Sequence, residues 1–245
     1  WSAMERKSVG REVMDDAPRG VGGRDARPAA TPGGGAAGDR SQDVAAEVEK
    51  AGGKAILLQA DLTTDNGCIA LSESVMSKSN HLDVLVNNAG GGVSRYGVGE
   101  ITWELLEKIF ALNTFSVMRT TALLIPLLRK GTGPCVVNIS SVAARSGAPS
   151  ASIYGAAKGA IDTYTRGAAK ELAPDIRVNS VAPGVFETPF HAEMTAKEKL
   201  AALAENTPLK RNGDPVNIAQ AVRFLIENDF ITGECIDVNG GLSMR

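Results

Sequence analysis

Aromatic residues make up only 4% of the 245-residue chain, histidine occurs twice and cysteine three times. Cys68, Cys135 and Cys235 are odd in number, far apart and without C-x-x-C spacing. That pattern excludes a disulfide framework or a cysteine zinc site and marks them as reduced core or near-core thiols; no metal site is expected. No run of 18 apolar residues is present, and the first residues lack the apolar stretch of a secretory signal, so no membrane partner and a cytoplasmic address are expected. Neither sign of charge is in excess. With 26 Lys and Arg against 28 Asp and Glu, a net charge of -2 and a pI near 5.8, there is no global electrostatic case for nucleic acid or an anionic membrane surface.

A second scarcity is local. Residues 1–40 contain no Leu, Ile, Phe or Tyr, while Gly, Ala, Arg and Pro dominate. Such a segment cannot bury enough apolar surface to offset its chain entropy unless neighbours capture it, and it is expected to be poorly ordered.

From Ser41 onward the pattern is regular. The length fits a single domain over residues 1–245, large enough to bury a sizeable core. A helix is predicted over residues 41–52, capped by Ser41 and ended by Gly52. Then follow a strand "AILLQAD" (55–61), a helix (66–78), a strand "LDVLVNN" (82–88) and a long helical stretch (102–129). The strand "PCVVNISS" (134–141), a helix (152–172), the strand "IRVNSVAP" (176–183), a helix (216–227) and a short strand "CIDVNGG" complete the series. The strands are apolar runs rich in Val and Ile without strict polar alternation, as in strands buried on both faces. Strands alternating with helices imply right-handed crossovers and an α/β fold with an open, doubly wound parallel sheet. Ligands of such a sheet are expected at the carboxyl ends of the strands.

Those ends carry Asp61, then "NNAGG" (87–91), "ISS" (139–141) and "APGVFETP" (182–189). Small residues there allow close backbone approach, and hydroxyl and amide groups supply donors to a flat ligand. In "SASIYGAAKGAIDTYTRGAAKEL" a helical spacing sets Tyr154 and Lys158 four apart on one face, so the ammonium can approach the phenol. A free phenol, with a pKa near 10, is a poor acid or base at neutral pH. A fixed positive charge beside it lowers that value towards the range needed to interconvert a carbonyl and an alcohol.

Together these features resemble the short-chain dehydrogenase/reductase family. The matching features are the "AD" ending an early strand, "NNAG", the Asn of "LNTF" (Asn113), "ISS" before the Tyr-x-x-x-Lys helix, "RVNSVAPG" after it and "GECIDVNGG" near the end. The resemblance implies a Rossmann-like fold and an oxidoreductase using NAD or NADP, in which the cofactor carries the hydride chemistry. It implies that Tyr154 is the general acid or base, and that Lys158 lowers its pKa and holds the nicotinamide ribose. Ser141 would hydrogen-bond the substrate oxygen, and Asn113 would hold a water linking Lys158 to solvent; Ser140 is the competing serine. Asp61 would meet the adenine, Asn88, Ala89 and Gly90 the adenosine side, and Pro183, Gly184 and Val185 with Thr188 the nicotinamide end. A homotetramer is implied as well.

The N-terminal stretch departs from that pattern. The family opens on a buried strand and a Thr-Gly-x-x-x-Gly-x-Gly turn. Laid on it, "DDAPRGVG" sets Gly20 and Gly22 on the last two glycines but Asp15 and Asp16 where Thr and the first glycine belong. An aspartate there brings bulk and negative charge beside a pyrophosphate. The flanks "KSVGREVM" and "GGGAAGD" are poor strands, which leaves the first two strands of the sheet doubtful. Without them the "VLVNN" strand lacks a neighbour on one edge. Three readings stand open: a reading-frame shift in GC-rich sequence, a divergent working loop, and a member that has lost dinucleotide binding and serves as scaffold or partner subunit. Asp39 would favour NAD by accepting from ribose hydroxyls, whereas Arg40 would suit a 2'-phosphate.

Residues 186–215 stand where the family carries its substrate-covering loop, with Met194, Leu200 and Leu203 spaced for a short amphipathic helix. The "TPFHAE" wording, with His191 available to a carboxylate, is similar to members acting on keto sugar acids. A 3-oxoacyl reductase is the rival within the enzyme class, against which only Arg129 and Lys130 offer a local basic patch.

Overall fold

A computed structural model of the chain describes residues 36–91, 95–186 and 197–244, with the backbone alone for 36–40 and 197–199. Gly20, Gly22, Thr188, His191, Met194 and the side chain of Asp39 lie outside the described residues.

Four parallel strands form a sheet in the order β1 (Val84–Asn87), β2 (Cys135–Ile139), β3 (Arg177–Pro183) and β4 (Cys235–Val238). The register is continuous: Val86 pairs with Val137, Val137 with Asn179, and Val181 with Ile236. β1 and β2 are joined through α3 (Trp103–Phe110), a π-helical turn (Ala111–Phe115) and α4 (Ser116–Leu128). β2 and β3 are joined through α5 (Ala143–Ser146) and α6 (Ser152–Leu172), and β3 and β4 through α7 (Lys197–Asn206) and α8 (Pro215–Glu227). Earlier in the chain lie α1 (Ala36–Lys50) and α2 (Asp65–Met76).

Successive strand residues point to opposite faces, and both faces are covered. On one, Leu85, Val136 and Val178 pack with Leu124 and Leu128 of α4 and Ala168 and Ala169 of α6. On the other, Cys135, Val137 and Val181 pack with Leu225, Ile218 and Val222 of α8. This is the doubly wound arrangement expected from the apolar strands. Arg177 locks α8 in place by donating to the carbonyls of Leu225 at 2.7 Å and Ile226 at 2.8 Å. A cation at a helix C-terminus also complements the helix dipole.

The stretch Trp103–Leu128 is long and apolar enough to cross a membrane by length and composition. Ile109, Leu112, Val117, Leu124 and Leu128 along it are buried, as in a core helix.

Three elements differ from the sequence expectation. Among the described residues, 55–61 form no ladder with another strand; Leu58 and Ala60 pack against Leu62, Cys68, Leu71 and Ala89, while Leu57 is 55% exposed. A strand exists only by pairing, and β1 pairs with β2 alone among the described residues. The first helix begins at Ala36, so Ser41 lies inside it rather than capping it; Gly52 does end it, at φ +83°. The long helix is interrupted by a π turn at Ala111–Phe115, within which Asn113 Nδ2 donates to the Ile109 carbonyl at 3.0 Å.

Candidate active site

β2 ends at Ile139, and the next two residues divide their work. Ser140 is 2% exposed and its Oγ donates to the Lys158 carbonyl at 3.2 Å, fixing α6 to the strand end. Ser141 is only partly buried, and its Oγ accepts from the Ala143 N–H at 3.1 Å, which opens α5. Of the two serines only Ser141 keeps an open side.

α6 carries Tyr154 and Lys158 one turn apart, as the spacing predicts. Lys158 is 3% exposed and its Nζ donates to the Ile139 carbonyl at 2.7 Å, 6.0 Å from the centre of the Tyr154 ring. Burial draws the Lys158 ammonium down to about 8, against the attraction of Asp162. Burial also pushes the Tyr154 phenol above its ordinary value, with hydrogen bonding from Ser141 opposing it. The direction for Tyr154 is the reverse of the sequence expectation. Desolvation dominates, and the Lys158 ammonium is turned to the Ile139 carbonyl rather than to the phenol.

Asn113 is fully buried and spends its amide on the backbone. Its Oδ1 accepts from Gly91 N at 2.9 Å, and Nδ2 donates to the carbonyls of Gly91 and Ile109, each at 3.0 Å. Gly90 fits between the two side chains. A Cβ built there would stand 2.9 Å from Asn113 Oδ1 and 3.1 Å from Lys158 Nζ. Asn88 and Gly90 are exposed on this turn and Ala89 is buried.

The segment after β3 closes the other side. Pro183 accepts from Val142 N at 2.8 Å, Gly184 N donates to Val238 O at 2.9 Å, and Val185 O accepts from Gly213 N at 2.9 Å. Gly184 is required by packing, since a Cβ would lie 2.7 Å from Asn239 Cα. Asp61 lies apart on the loop before α2, with one carboxylate oxygen taken by Thr63 N at 3.0 Å and Thr63 Oγ1 at 2.6 Å. Sequence reasoning missed the Ile139 carbonyl and the group formed by Arg145, Asp162, Cys235 and Asp237. The one signal available was Asp162, four residues beyond Lys158 on the same helical face.

A phenol, an ammonium and a hydroxyl thus meet at the carboxyl edge of a parallel sheet beside a glycine turn. A family model described as enoyl-(acyl carrier protein) reductase matches residues 28–243. The chain belongs to the short-chain dehydrogenase/reductase family. Gly20 and Gly22 precede the matched region. Cyclopentanol dehydrogenase of Comamonas testosteroni is 38% identical over 200 residues, 80% of each chain. An uncharacterized oxidoreductase, YgfF, of Escherichia coli (strain K12) is 36% identical over 208 residues, 82% of this chain and 84% of that protein. Among solved structures, an NADH-dependent reductase, A1-R', responsible for alginate metabolism superposes with a TM-score of 0.77 at 28% identity, covering 92% of this chain and 87% of that one. Aldohexose dehydrogenase of Thermoplasma acidophilum gives 0.73 at 31% identity, covering 78% and 80%. As a short-chain dehydrogenase/reductase the protein is an oxidoreductase enzyme, and the family typically uses NAD or NADP.

Proposed function

We propose that the protein interconverts a carbonyl and a secondary alcohol on a small substrate, with Tyr154 as general acid or base, Ser141 and Lys158 beside it, and NAD or NADP as cofactor. The observation that carries this is the meeting of Tyr154, Lys158 and Ser141 next to the Gly90 turn. That turn suits a close-lying cofactor because Asn88 and Gly90 are exposed on it and Gly90 carries no side chain, while Asn113 Oδ1 and Lys158 Nζ pack against Gly90 from within the protein. Lys158, Tyr154, Pro183, Gly184, Val185 and Thr188 would hold the nicotinamide end, and Asp61, Asn88, Ala89 and Gly90 the adenosine side. Gly20, Gly22 and Asp39 complete the proposed cofactor set.

When bound, the nicotinamide supplies or accepts the hydride. The chain's own residues do the rest. In reduction the Tyr154 Oη gives its proton to the substrate oxygen; in oxidation it takes one from the alcohol. Ser141 Oγ donates to the same oxygen and stabilises charge developing there. Lys158, while protonated, stabilises the phenolate that remains. Asn113 fixes the Gly90–Gly91 turn on which both partners depend.

Sugar-derived substrates, including keto sugar acids, are the substrate class we favour. The names of two structural relatives, one acting in alginate metabolism and one an aldohexose dehydrogenase, support that class. A 3-oxoacyl substrate is the second reading, supported by the acyl-carrier description of the matching family model. A cytoplasmic homotetramer is the assembly we infer from the family.

The test is a titration of the folded chain with NADH and NADPH, followed by nicotinamide fluorescence, then a screen of keto sugar acids and 3-oxoacyl esters. Saturable micromolar binding and turnover that falls about 100-fold or more in Tyr154→Phe are expected. A folded chain that binds neither nucleotide would favour the scaffold reading suggested by Asp15 and Asp16.

A further inference from the structure

One helical turn beyond Lys158 lies a buried charged cluster that the proposed chemistry does not use. Arg145 of α5, with its side chain 14% exposed, pairs through Nη1 with Asp162 of α6, whose side chain is 5% exposed. Its Nη2 donates to Cys235 Sγ of β4 at 2.9 Å, and its Nε lies 3.3 Å from Asp237 Oδ1, also on β4. Cys235 Sγ in turn donates to Asp162 Oδ1 at 3.4 Å. Burial pushes the Cys235 thiol up, so it remains a neutral link between guanidinium and carboxylate. Arg145 itself is raised: burial works against its charge, but its acidic partners, Asp162 first, outweigh that.

The cluster joins three elements that each carry or flank part of the site. α5 opens at Ala143, whose N–H holds Ser141 Oγ. α6 carries Tyr154 and Lys158, and β4 stands next to the strand that ends in Pro183. Its charges also bear on Lys158. Asp162 follows Lys158 by four residues on the same face and attracts its ammonium. Two buried cations, Arg145 and Lys158, face two carboxylates, Asp162 and Asp237, so the group is balanced only while Lys158 keeps its proton. Buried charges persist only when so compensated.

We propose that Arg145 is a positioning residue for the Tyr154–Lys158 pair, sharing Asp162 with Lys158 so that it both tempers that carboxylate and fastens α5 and α6 to β4. The inference rests on the reading of Lys158 as part of the proton-transfer site. Its consequence is directional. Without the guanidinium, Asp162 acts on Lys158 untempered and the ammonium holds its proton to higher pH. Without the Asp162 carboxylate, Lys158 loses its attraction and keeps the positive Arg145 nearby, so it releases its proton at lower pH. Among the described residues, the charged and titratable groups of this neighbourhood are Tyr154, Asp162, Arg145, Cys235 and Asp237; Asn113 and the Ile139 carbonyl are polar but do not titrate.

The test is a 13Cε-lysine NMR titration of the full chain, with the Lys158 signal assigned by its loss in Lys158→Met. In the unsubstituted protein the midpoint is expected near 8. Arg145→Met should raise it, and Asp162→Asn should lower it, each by about one pH unit. A cluster that only braces the fold would not move Lys158 in opposite directions. Shifts of the same sign, or no shift in Asp162→Asn, overturn the proposal, and Asp162→Asn decides alone if Arg145→Met does not fold. The titration needs no turnover. If Tyr154→Phe keeps full activity the proposed chemistry falls, while the coupling is still judged by the midpoints.

Discussion

The side chain of Asn113 closes on both ends of one residue. Its Oδ1 accepts from Gly91 N at 2.9 Å while its Nδ2 donates to Gly91 O at 3.0 Å. The same nitrogen donates to Ile109 O within its own helix. One residue therefore converts a helical irregularity into a clamp on the turn after β1, 22 positions earlier in the chain.

Replacing Asn113 with Ala should remove three hydrogen bonds and leave buried backbone groups unpaired. At about 1 kcal/mol for each bond, the loss should be about 3 kcal/mol of folding stability. Urea unfolding would read it as a lower midpoint with an unchanged slope. Asn113→Asp should not restore the fold, because a carboxylate cannot donate to Gly91 O and Ile109 O.

How much of this could be read in advance differed by the kind of interaction. Helix α6 was legible to the residue, because its apolar positions recur at helical spacing and its site residues are four apart. The β2, β3 and β4 strands were legible as Val- and Ile-rich runs, since each is paired within the described sheet. Residues 55–61 have the same composition but no ladder; pairing depends on a neighbour that the segment's own sequence cannot supply. The π turn at Asn113 was hidden inside an otherwise regular helical pattern. The Arg145 cluster unites positions 145, 162, 235 and 237, and no periodicity links residues so far apart. The Tyr154 phenol was misjudged in direction because the sequence shows a neighbouring charge but not the desolvation that opposes it.

Gly90→Ala tests the crowded turn. The added methyl would press on Asn113 Oδ1 and Lys158 Nζ, both held by other bonds. Stability should fall by about 1–3 kcal/mol, the usual cost of overpacking. On the proposed reading nucleotide affinity and kcat/KM should fall together. Gly99→Ala is the control, because a Cβ there meets nothing within 4 Å. Equal effects of the two substitutions would remove Gly90 from the site.

Phe186 and Gly213 form an isolated parallel bridge near the two ends of the segment proposed to cover the substrate. Phe186 is 5% exposed, and a Cβ at Gly213 would stand 2.2 Å from its ring. Gly213→Ala should therefore expel the ring and unseat the cover at one end. The expected kinetic result is a KM raised several-fold with a smaller change in kcat, since the substitution touches none of Tyr154, Lys158 or Ser141. A Gly213→Ala enzyme with unchanged KM would show that this bridge does not govern substrate binding.

Lys158 makes a prediction about pH and stability whose sign can be worked through. Its folded-state value lies near 8 against an ordinary value of 10.5, so between those limits the unfolded chain binds more protons than the folded one. Stability attributable to this group therefore rises as pH climbs from about 8 to 10.5. Below pH 8 the lysine is charged in both states and the burial of its ammonium weighs on the folded one in full, the step from 10.5 to about 8 corresponding to roughly 3 kcal/mol. Lys158→Met should accordingly gain stability relative to the unsubstituted chain at pH 7, offset in part by the lost bond to the Ile139 carbonyl. That advantage should shrink by pH 10, where the ionisation of unfolded tyrosine acts through the raised Tyr154 on both proteins alike. Thermal or urea unfolding of both proteins at pH 7 and pH 10 measures the difference directly. An advantage that grows with pH would mean that Lys158 holds its proton more tightly when folded, and would place its titration above rather than below the ordinary lysine value.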